Sequence, residues 1–286
     1  MIFFGSRSSA VLTTAASAYD LVLVCDEPGR FYRSVHRAGL LRRNPMILAT
    51  LDGILAPTQV RLARDPWLVK ASVVSTAALL RATSTRRPDQ FLAGRLFQDV
   101  HVVWSRDELI AERTEAAIDS ARRVTLDWAS PELPARFGPS DYVRQLFRTS
   151  FRFEVRPETR GRADALFAAQ SDRLVPLFTG VLARLAAEGR LHAHPDGTFS
   201  LPAPVGAGKR LMVRLFLEWS RLRATARWPK HAITFDGWLD YIVKKAERHS
   251  GETIVLSPLE RRFPLIFMWP RVFRFLGRQR RKGRPV

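Results

Sequence analysis

The first hundred residues alternate short apolar runs with stretches of helical spacing. Apolar runs bounded by turn residues predict five strands, at residues 2–5, 20–25, 58–63, 67–74 and 101–104. Residues 30–43 have helical spacing and end before Asn44-Pro45, and Ser75 precedes a Leu-rich helix as an N-cap residue would. Strands alternating with helices predict a domain of mixed α and β structure over residues 1–105.

Beyond Ser105 the pattern becomes helical. Apolar residues at helical spacing predict three helices, within 106–129, 139–151 and 175–189. Two short alternating runs around Pro195-Asp196-Gly197 then predict a β-hairpin. Helices followed by a hairpin are typical of a winged-helix unit, so residues 106–203 are predicted to form a winged-helix-like domain. Residues 203–210 have the composition of a linker.

Charge changes the picture most strongly at the C-terminus. The 286 residues carry 46 Lys and Arg against 27 Asp and Glu, a formal charge of +19. Residues 206–286 hold 19 of these cations and only 6 acids. Such an excess indicates a polyanionic partner, either nucleic acid, nucleotide or an acidic membrane surface. The one cysteine, Cys25, excludes a disulfide framework, and no stretch is long and apolar enough to predict a transmembrane helix.

The chain begins with residues suited to nucleotidyl transfer. A Gly-Ser turn, Gly5-Ser6, lets backbone N–H groups approach a triphosphate, and a carboxylate on the next strand, Asp20, suits Mg²⁺. This order resembles the polymerase-β-like nucleotidyltransferases, in which Ser-Asp-x-Asp opens the second strand. Here Ala18 replaces the first carboxylate. The alternative interpretation is a plain strand–turn–strand with a structural Asp20.

Further motifs resemble one enzyme family. The chain is similar to the mitochondrial CDP-diacylglycerol synthases, the translocator-maintenance type of phosphatidate cytidylyltransferase, and specifically to their bacterial relatives. The matching features, in chain order, are the Gly-Ser turn, Asp20 followed by Asp26 six positions later, Asn44-Pro45, Lys70 before a Val-Val-Ser, and Ala93-Gly94-Arg95-Leu96. The resemblance covers residues 2–185 and is looser in the tail.

The resemblance implies a reaction and a set of site residues. The reaction would be CTP plus phosphatidate giving CDP-diacylglycerol and pyrophosphate, with Mg²⁺ as cofactor. Asp20 and Lys70 would be catalytic. The nucleotide would contact Gly5, Ser6, Arg7 and Arg95.

The metal ligands are less clearly defined. Asp20 and Asp26 are the predicted metal-binding carboxylates, but six residues of extended strand separate them by roughly 20 Å, so they can chelate one ion only if the strand bends sharply. Without such a bend, we expect Asp26 to cap the far end of the strand or to contact another part of the substrate. Asp52, Asp65 and Asp99 stay open as a second ligand. The chain departs from the family pattern at Arg7, where the family has Gly, and at 46–48 and 97–99.

A lipid acceptor would account for the basic C-terminal region. Residues 204–286 end in a segment that mixes Phe, Trp, Leu and Ile with Arg and Lys, a composition typical of the membrane interface. We therefore predict an α+β fold with a nucleotidyltransferase domain (1–105), a winged-helix-like domain (106–203) and a membrane-docking region (204–286). The protein would lie peripherally on the cytoplasmic face of a bacterial membrane. Two rivals stay open: a nucleotidyltransferase with RNA or a small phosphate as acceptor, with nucleic acid the less favoured partner, and a catalytically degenerate basic protein that binds membrane or RNA.

Overall fold

A mixed five-stranded sheet organises the N-terminal part of this computed structural model, which describes residues 1–5, 18–64, 67–153, 161–250 and 253–262. The strands are β1 (Ile2–Phe4), β2 (Tyr19–Cys25), β3 (Thr58–Arg64), β4 (Trp67–Ser75) and β5 (His101–Val102), in the order β3-β4-β2-β1-β5. β2 and β4 run parallel, and the other neighbours run antiparallel. The fold is α+β, as the sequence predicts.

Helices cover both faces of the sheet. On one face, α1 (Pro28–Arg37) and α2 (Pro45–Ile54) pack Tyr32 and Leu48 against Val60, Ala71 and Val73. On the other face lie α3 (Thr76–Ala82), α4 (Ala93–Leu96) and α5 (Glu108–Arg123). The Ser75 Oγ accepts from the Ala78 N–H at 3.1 Å, which confirms the predicted cap of α3.

A helical cluster follows the sheet. It comprises α6 (Thr125–Ala129), α7 (Pro139–Arg152), α8 (Arg162–Ala187) and the hairpin β6 (His192–Ala193) and β7 (Phe199–Ser200). The predicted helix at 106–129 is interrupted at Val124, and the one predicted at 175–189 begins at Arg162 and contains Pro176. Buried aromatic side chains such as Trp128, Phe147 and Phe178 fill its core.

The predicted linker at 203–210 is wrong in its second half. Gly206 is the N-cap of α9 (Ala207–Thr234), so residues 207–210 form its first turn. The glycines that favour a linker by composition are compatible with a helix start, because a first turn has few backbone hydrogen bonds to lose. α10 (Trp238–Ser250) and α11 (Pro258–Arg262) complete the described elements. Within the described ranges, no helix combines the length and apolarity that crossing a membrane requires.

Candidate functional site

Four side chains form a row across the sheet, level with the end of β1 and the start of β2. Phe4 pairs with Asp20, Asp20 with Lys70, and Lys70 with Arg61. Residues paired across neighbouring strands project from the same face, so these side chains are direct neighbours. The register thereby brings together Asp20 and Lys70, which the sequence predicts as catalytic residues fifty positions apart.

Asp20 and Lys70 form a close ion pair. The Lys70 Nζ lies 2.6 Å from the Asp20 Oδ1, and each side chain is only 18% exposed. The ring of Tyr241, from α10, has its centroid 5.5 Å from the same Nζ. Burial disfavours the ammonium, but the charge of Asp20 and contact with Tyr241 outweigh it and raise the pKa of Lys70. Lys70 is therefore a fixed cation throughout the physiological pH range.

Gly5 touches the other oxygen of the same carboxylate. Its φ is +93°, a conformation that L-residues with a side chain rarely adopt, and a Cβ built there would lie 2.6 Å from the Asp20 Oδ2. The predicted glycine turn thus lies directly against Asp20. No side chain at position 5 covers this oxygen. The predicted partners Ser6 and Arg7 lie outside the described residues.

Arg61 extends the row toward the junction of α9 and α10. Its Nη1 donates to the backbone oxygen of Asp236 at 3.4 Å. A Cβ on Gly237, whose φ is +65°, would lie 2.6 Å from that nitrogen. The Arg61 Nε is buried and has no hydrogen-bond partner in the part of the chain that the structure describes. A second glycine therefore lets the backbone approach a second cation of the row.

Arg95 belongs to a cationic cluster on the same side of the sheet. Its guanidinium lies 3.7 Å from the centroid of the Phe91 ring, and that of Arg227 lies 4.3 Å from it. His231, on α9, interacts with Arg95, Arg227 and Lys70. Burial and these cations, with Lys230, lower the pKa of His231 to about 3. His231 is thus neutral, and its Nε2 has no hydrogen-bond partner among the described residues.

A neighbouring buried lysine also carries a shifted pKa. The Lys230 ammonium donates to the backbone oxygens of Leu55 and Pro57, the latter at 3.0 Å. Burial lowers its pKa to about 7, and Asp52 only partly opposes that shift. α9 therefore contributes Arg227 and His231 to the cationic cluster and places Lys230 against the segment that joins α2 to β3.

Asp26 does not reach the Asp20 site. It follows the far end of β2, where its Oδ1 accepts from the Thr76 Oγ1 at 2.9 Å and its Oδ2 lies 3.8 Å from Arg106. The intervening strand is extended, so the two carboxylates are separated by roughly 20 Å, at about 3.3 Å per residue. The predicted sharing of one metal ion by Asp20 and Asp26 has no support in this geometry.

The other carboxylates considered as second ligands have different partners. Asp52 is buried and accepts from the Thr58 Oγ1 at 2.7 Å, and burial raises its pKa. Asp99 pairs with Arg173 at 2.7 Å. Asp65 lies outside the described residues. No group of three or more His, Cys, Asp or Glu side chains suited to a metal ion occurs among the described residues.

A cavity of about 550 Å³ opens at the opposite end of β4 from Lys70. It is lined in part by Asp52, Ser75 and Asp89. The Asp89 carboxylate accepts from Arg223 at 2.7 Å and from Arg227 at 2.9 Å, so its charge is already balanced. Neither Asp20 nor Lys70 lines this cavity, and the candidate site is therefore assigned to the strand row.

The sequence misses several members of the site. Arg61, Tyr241 and the basic residues of α9 come from elements far apart in the chain, and only the sheet order and the course of α9 bring them together.

In comparisons with known proteins, no family model and no curated protein sequence matches this chain.

Proposed function

We propose that the protein is a phosphatidate cytidylyltransferase, which converts CTP and phosphatidate into CDP-diacylglycerol and pyrophosphate. The observation that carries the proposal is the contact of Gly5 with Asp20 beside Lys70. A glycine after the first strand and a carboxylate on the adjacent strand are parts that nucleotidyl transfer requires, and here a Cβ on that glycine would lie 2.6 Å from the carboxylate, which is paired with Lys70. The order of motifs along the chain supports the same family.

The chemistry requires two anions to meet. A phosphate oxygen of phosphatidate would form a bond to the α-phosphorus of CTP, and the bond from that phosphorus to the bridging oxygen of the β-phosphate would break, releasing pyrophosphate. A phosphate monoester is already anionic near neutral pH, so the attack needs no general base. The protein's task is to position the anions and to offset their charge. Lys70, Arg61 and Arg95 are cations suited to that task.

Asp20 suits Mg²⁺ as a single carboxylate ligand. Mg²⁺ commonly binds one or two carboxylates together with substrate phosphates and water. The Asp20 Oδ2 lies on the side of Gly5, where a Cβ would come within 2.6 Å of it. Bound there, the metal would supply neutralisation of phosphate charge. Lys70 would hold the carboxylate in place through its Oδ1.

The finer architecture belongs to the same proposal. The mixed sheet with a glycine turn after its first strand is compatible with a polymerase-β-like nucleotidyltransferase domain over residues 1–105. The sequence of α7, α8 and the β6–β7 hairpin is compatible with a winged-helix-like domain over 106–203. Since the acceptor lipid resides in a bilayer, residues 204–286 would hold the protein at an anionic membrane surface, peripherally and on the cytoplasmic side.

Turnover tests the proposal directly. Labelled CTP, Mg²⁺ and vesicles containing phosphatidate should yield label in the organic phase, and Asp20→Asn should abolish it. Asp26→Asn is a matched control, since it removes the same charge at the other end of β2 and should leave turnover within about twofold. Absence of lipid-linked label in the unmodified protein would refute the proposal.

One observation favours a second candidate, a basic binding protein without catalysis. Asp20 is the only carboxylate in the strand row, and it is already paired with Lys70. Metal-dependent binding of CTP distinguishes the two candidates, because only the enzyme requires the Asp20 carboxylate to bind a metal ion together with the nucleotide. Equal CTP affinity in Mg²⁺ and in EDTA would favour the binding protein without catalysis over the cytidylyltransferase.

A further inference from the structure

Helix α9 has two apolar faces, and only one of them is packed. Leu217, Ser220 and Ala224 are buried against the rest of the protein. Five large apolar side chains of the same helix are between 52% and 72% exposed: Leu211, Met212, Leu215, Trp219 and Leu222. We call these five residues the α9 apolar face.

The five residues form a continuous stripe. At about 100° per residue they fall within an arc of about 100°, and the buried residues lie on roughly the opposite side of the helix. The stripe extends along about 17 Å of the helix at 1.5 Å per residue. Ile233, 44% exposed, continues it near the C-terminal end of α9. Exposed apolar surface of this extent and regularity marks an interaction site.

One edge of the stripe is cationic. Arg210, Arg214 and Arg221 follow it along the helix, and they line a cavity of about 470 Å³ together with Arg152, two glutamates (Glu132 and Glu218) and apolar side chains. Arg221 is paired with Glu218 at 3.6 Å. Arg152 is paired with Glu132. Arg214 has no ion pair within the described ranges, so it is available to a ligand.

These charges decide between possible occupants. α9 carries seven Lys and Arg but a single acid, Glu218, so a second copy of the helix would place cations against cations. The chain's own tail, residues 263–286, has seven basic residues and no acidic one and would be repelled in the same way. Nucleic acid would satisfy the arginines and leave the leucines in water. An anionic bilayer satisfies both, because phosphates lie beside its acyl region.

We propose that α9 docks on an anionic bilayer, with its apolar face at the acyl boundary and the arginine-lined cavity at the level of the lipid phosphates. The helix then lies in the plane of the interface. This inference rests on the proposed function only in that the acceptor lipid belongs to such a bilayer. It assigns membrane contact to a packed helix of the fold, in addition to the basic tail.

A spin-label scan tests the orientation of the helix. In a Cys25→Ser background of the full chain, single cysteines replace residues 208–226 one at a time and carry a nitroxide. On vesicles of phosphatidylglycerol and phosphatidylcholine, oxygen accessibility should rise at 211, 215, 219 and 222 with a period near 3.6. Unchanged accessibility on vesicles would refute membrane docking. Spin–spin broadening between copies without vesicles would identify a second copy as the occupant and also overturn the proposal.

Vesicle affinity gives an independent measure. The double variant Leu215→Gln with Leu222→Gln should weaken vesicle binding by at least about tenfold, since each leucine contributes the transfer of apolar area. Leu109→Gln with Met46→Gln is the matched control, because both residues are as exposed but lie on α5 and α2. Equal affinity of the two double variants would contradict the proposal.

Turnover on short-chain phosphatidate dispersed in detergent separates the two proposals. It requires no bilayer, so the α9 variants should retain it. If the protein binds vesicles through α9 but does not turn over dispersed phosphatidate, membrane docking is supported and the proposed function is refuted. If it turns over dispersed phosphatidate but the α9 variants bind vesicles as the unmodified protein does, the proposed function is supported and membrane docking by α9 is refuted.

Discussion

Replacing Gly5 with alanine tests whether the glycine turn and Asp20 act as one unit. The added Cβ has two costs. The φ of +93° strains any L-residue by about 1–2 kcal/mol. The methyl would also lie 2.6 Å from the Asp20 Oδ2, a separation that carbon and oxygen do not tolerate, so the carboxylate must move.

Movement of the carboxylate breaks its bond to Lys70. That pair is 2.6 Å long and 18% exposed, and pairs accessible to solvent are worth about 1 kcal/mol after screening. Gly5→Ala should therefore lower the free energy of unfolding by about 2–3 kcal/mol in total. It should also weaken Mg²⁺-dependent CTP binding.

Gly39→Ala is the matched control. Gly39 has a φ of +72°, and a Cβ there would meet no atom within 4 Å. It should cost only the backbone strain, about 1–2 kcal/mol, and leave CTP binding unchanged. Urea denaturation gives the free energies and titration calorimetry gives the affinities. Equal losses of stability in the two variants, with CTP binding intact in both, would refute the coupling of Gly5 to Asp20.

Three further predictions concern buried charges. Asp89→Asn should lower the free energy of unfolding at pH 7 by about 3–5 kcal/mol, because it leaves Arg223 and Arg227 without their buried counter-charge. Burial opposes the shift, but those arginines lower the pKa of Asp89, so the stability that its carboxylate contributes is present above the ordinary aspartate pKa and is lost as pH falls through the folded pKa. Urea denaturation should therefore show a smaller difference in unfolding free energy between variant and unmodified protein below pH 4 than at pH 7. An equal difference at both pH values would contradict this. Burial lowers the folded pKa of Lys230 to about 7, below its unfolded value. The unfolded chain therefore binds more protons from about pH 7 to 10, and stability should rise with pH in that window. Lys230→Met should abolish the rise, and an identical pH profile of urea midpoints in variant and unmodified protein would contradict this role of Lys230. Lys70→Met should reduce CTP affinity, measured by calorimetry, at least about tenfold, because a charge-assisted phosphate contact is lost. Unchanged affinity would show that Lys70 does not contact the nucleotide.

Local patterns predict the strands and the first members of the site. Apolar runs bounded by turns are sufficient to predict β2 and β4, because a buried strand needs apolar side chains whatever its position in the sheet. Gly5 and Asp20 are recognisable because each lies at a strand end in a pattern with a chemical purpose, and Lys70 because it stands before a Val-Val-Ser that matches the resembled family. Their contact with one another is a consequence of the strand order and register.

Long-range packing determines the rest of the site. Arg61 resembles an ordinary edge-strand residue in the sequence, and Tyr241 resembles an ordinary helix residue. Their proximity to Lys70 depends on how α9 and α10 cross the sheet, and no local pattern encodes that crossing. The separation of Asp20 from Asp26, by contrast, is predictable from the sequence, since an extended strand holds its two ends apart.

The distribution of charge in the strand row explains how a single carboxylate can suit a site for two anionic substrates. Asp20 and Lys70 neutralise each other, and Arg61 adds positive charge beside them in the strand row. A second carboxylate would attract another metal ion but would also repel both phosphates. Under the proposed function, cations from separate elements would reduce that repulsion directly, and the one carboxylate would need only to hold a metal ion. Ala18, at the position where the polymerase-β-like pattern has its first acidic residue, is therefore compatible with the proposed nucleotidyl transfer.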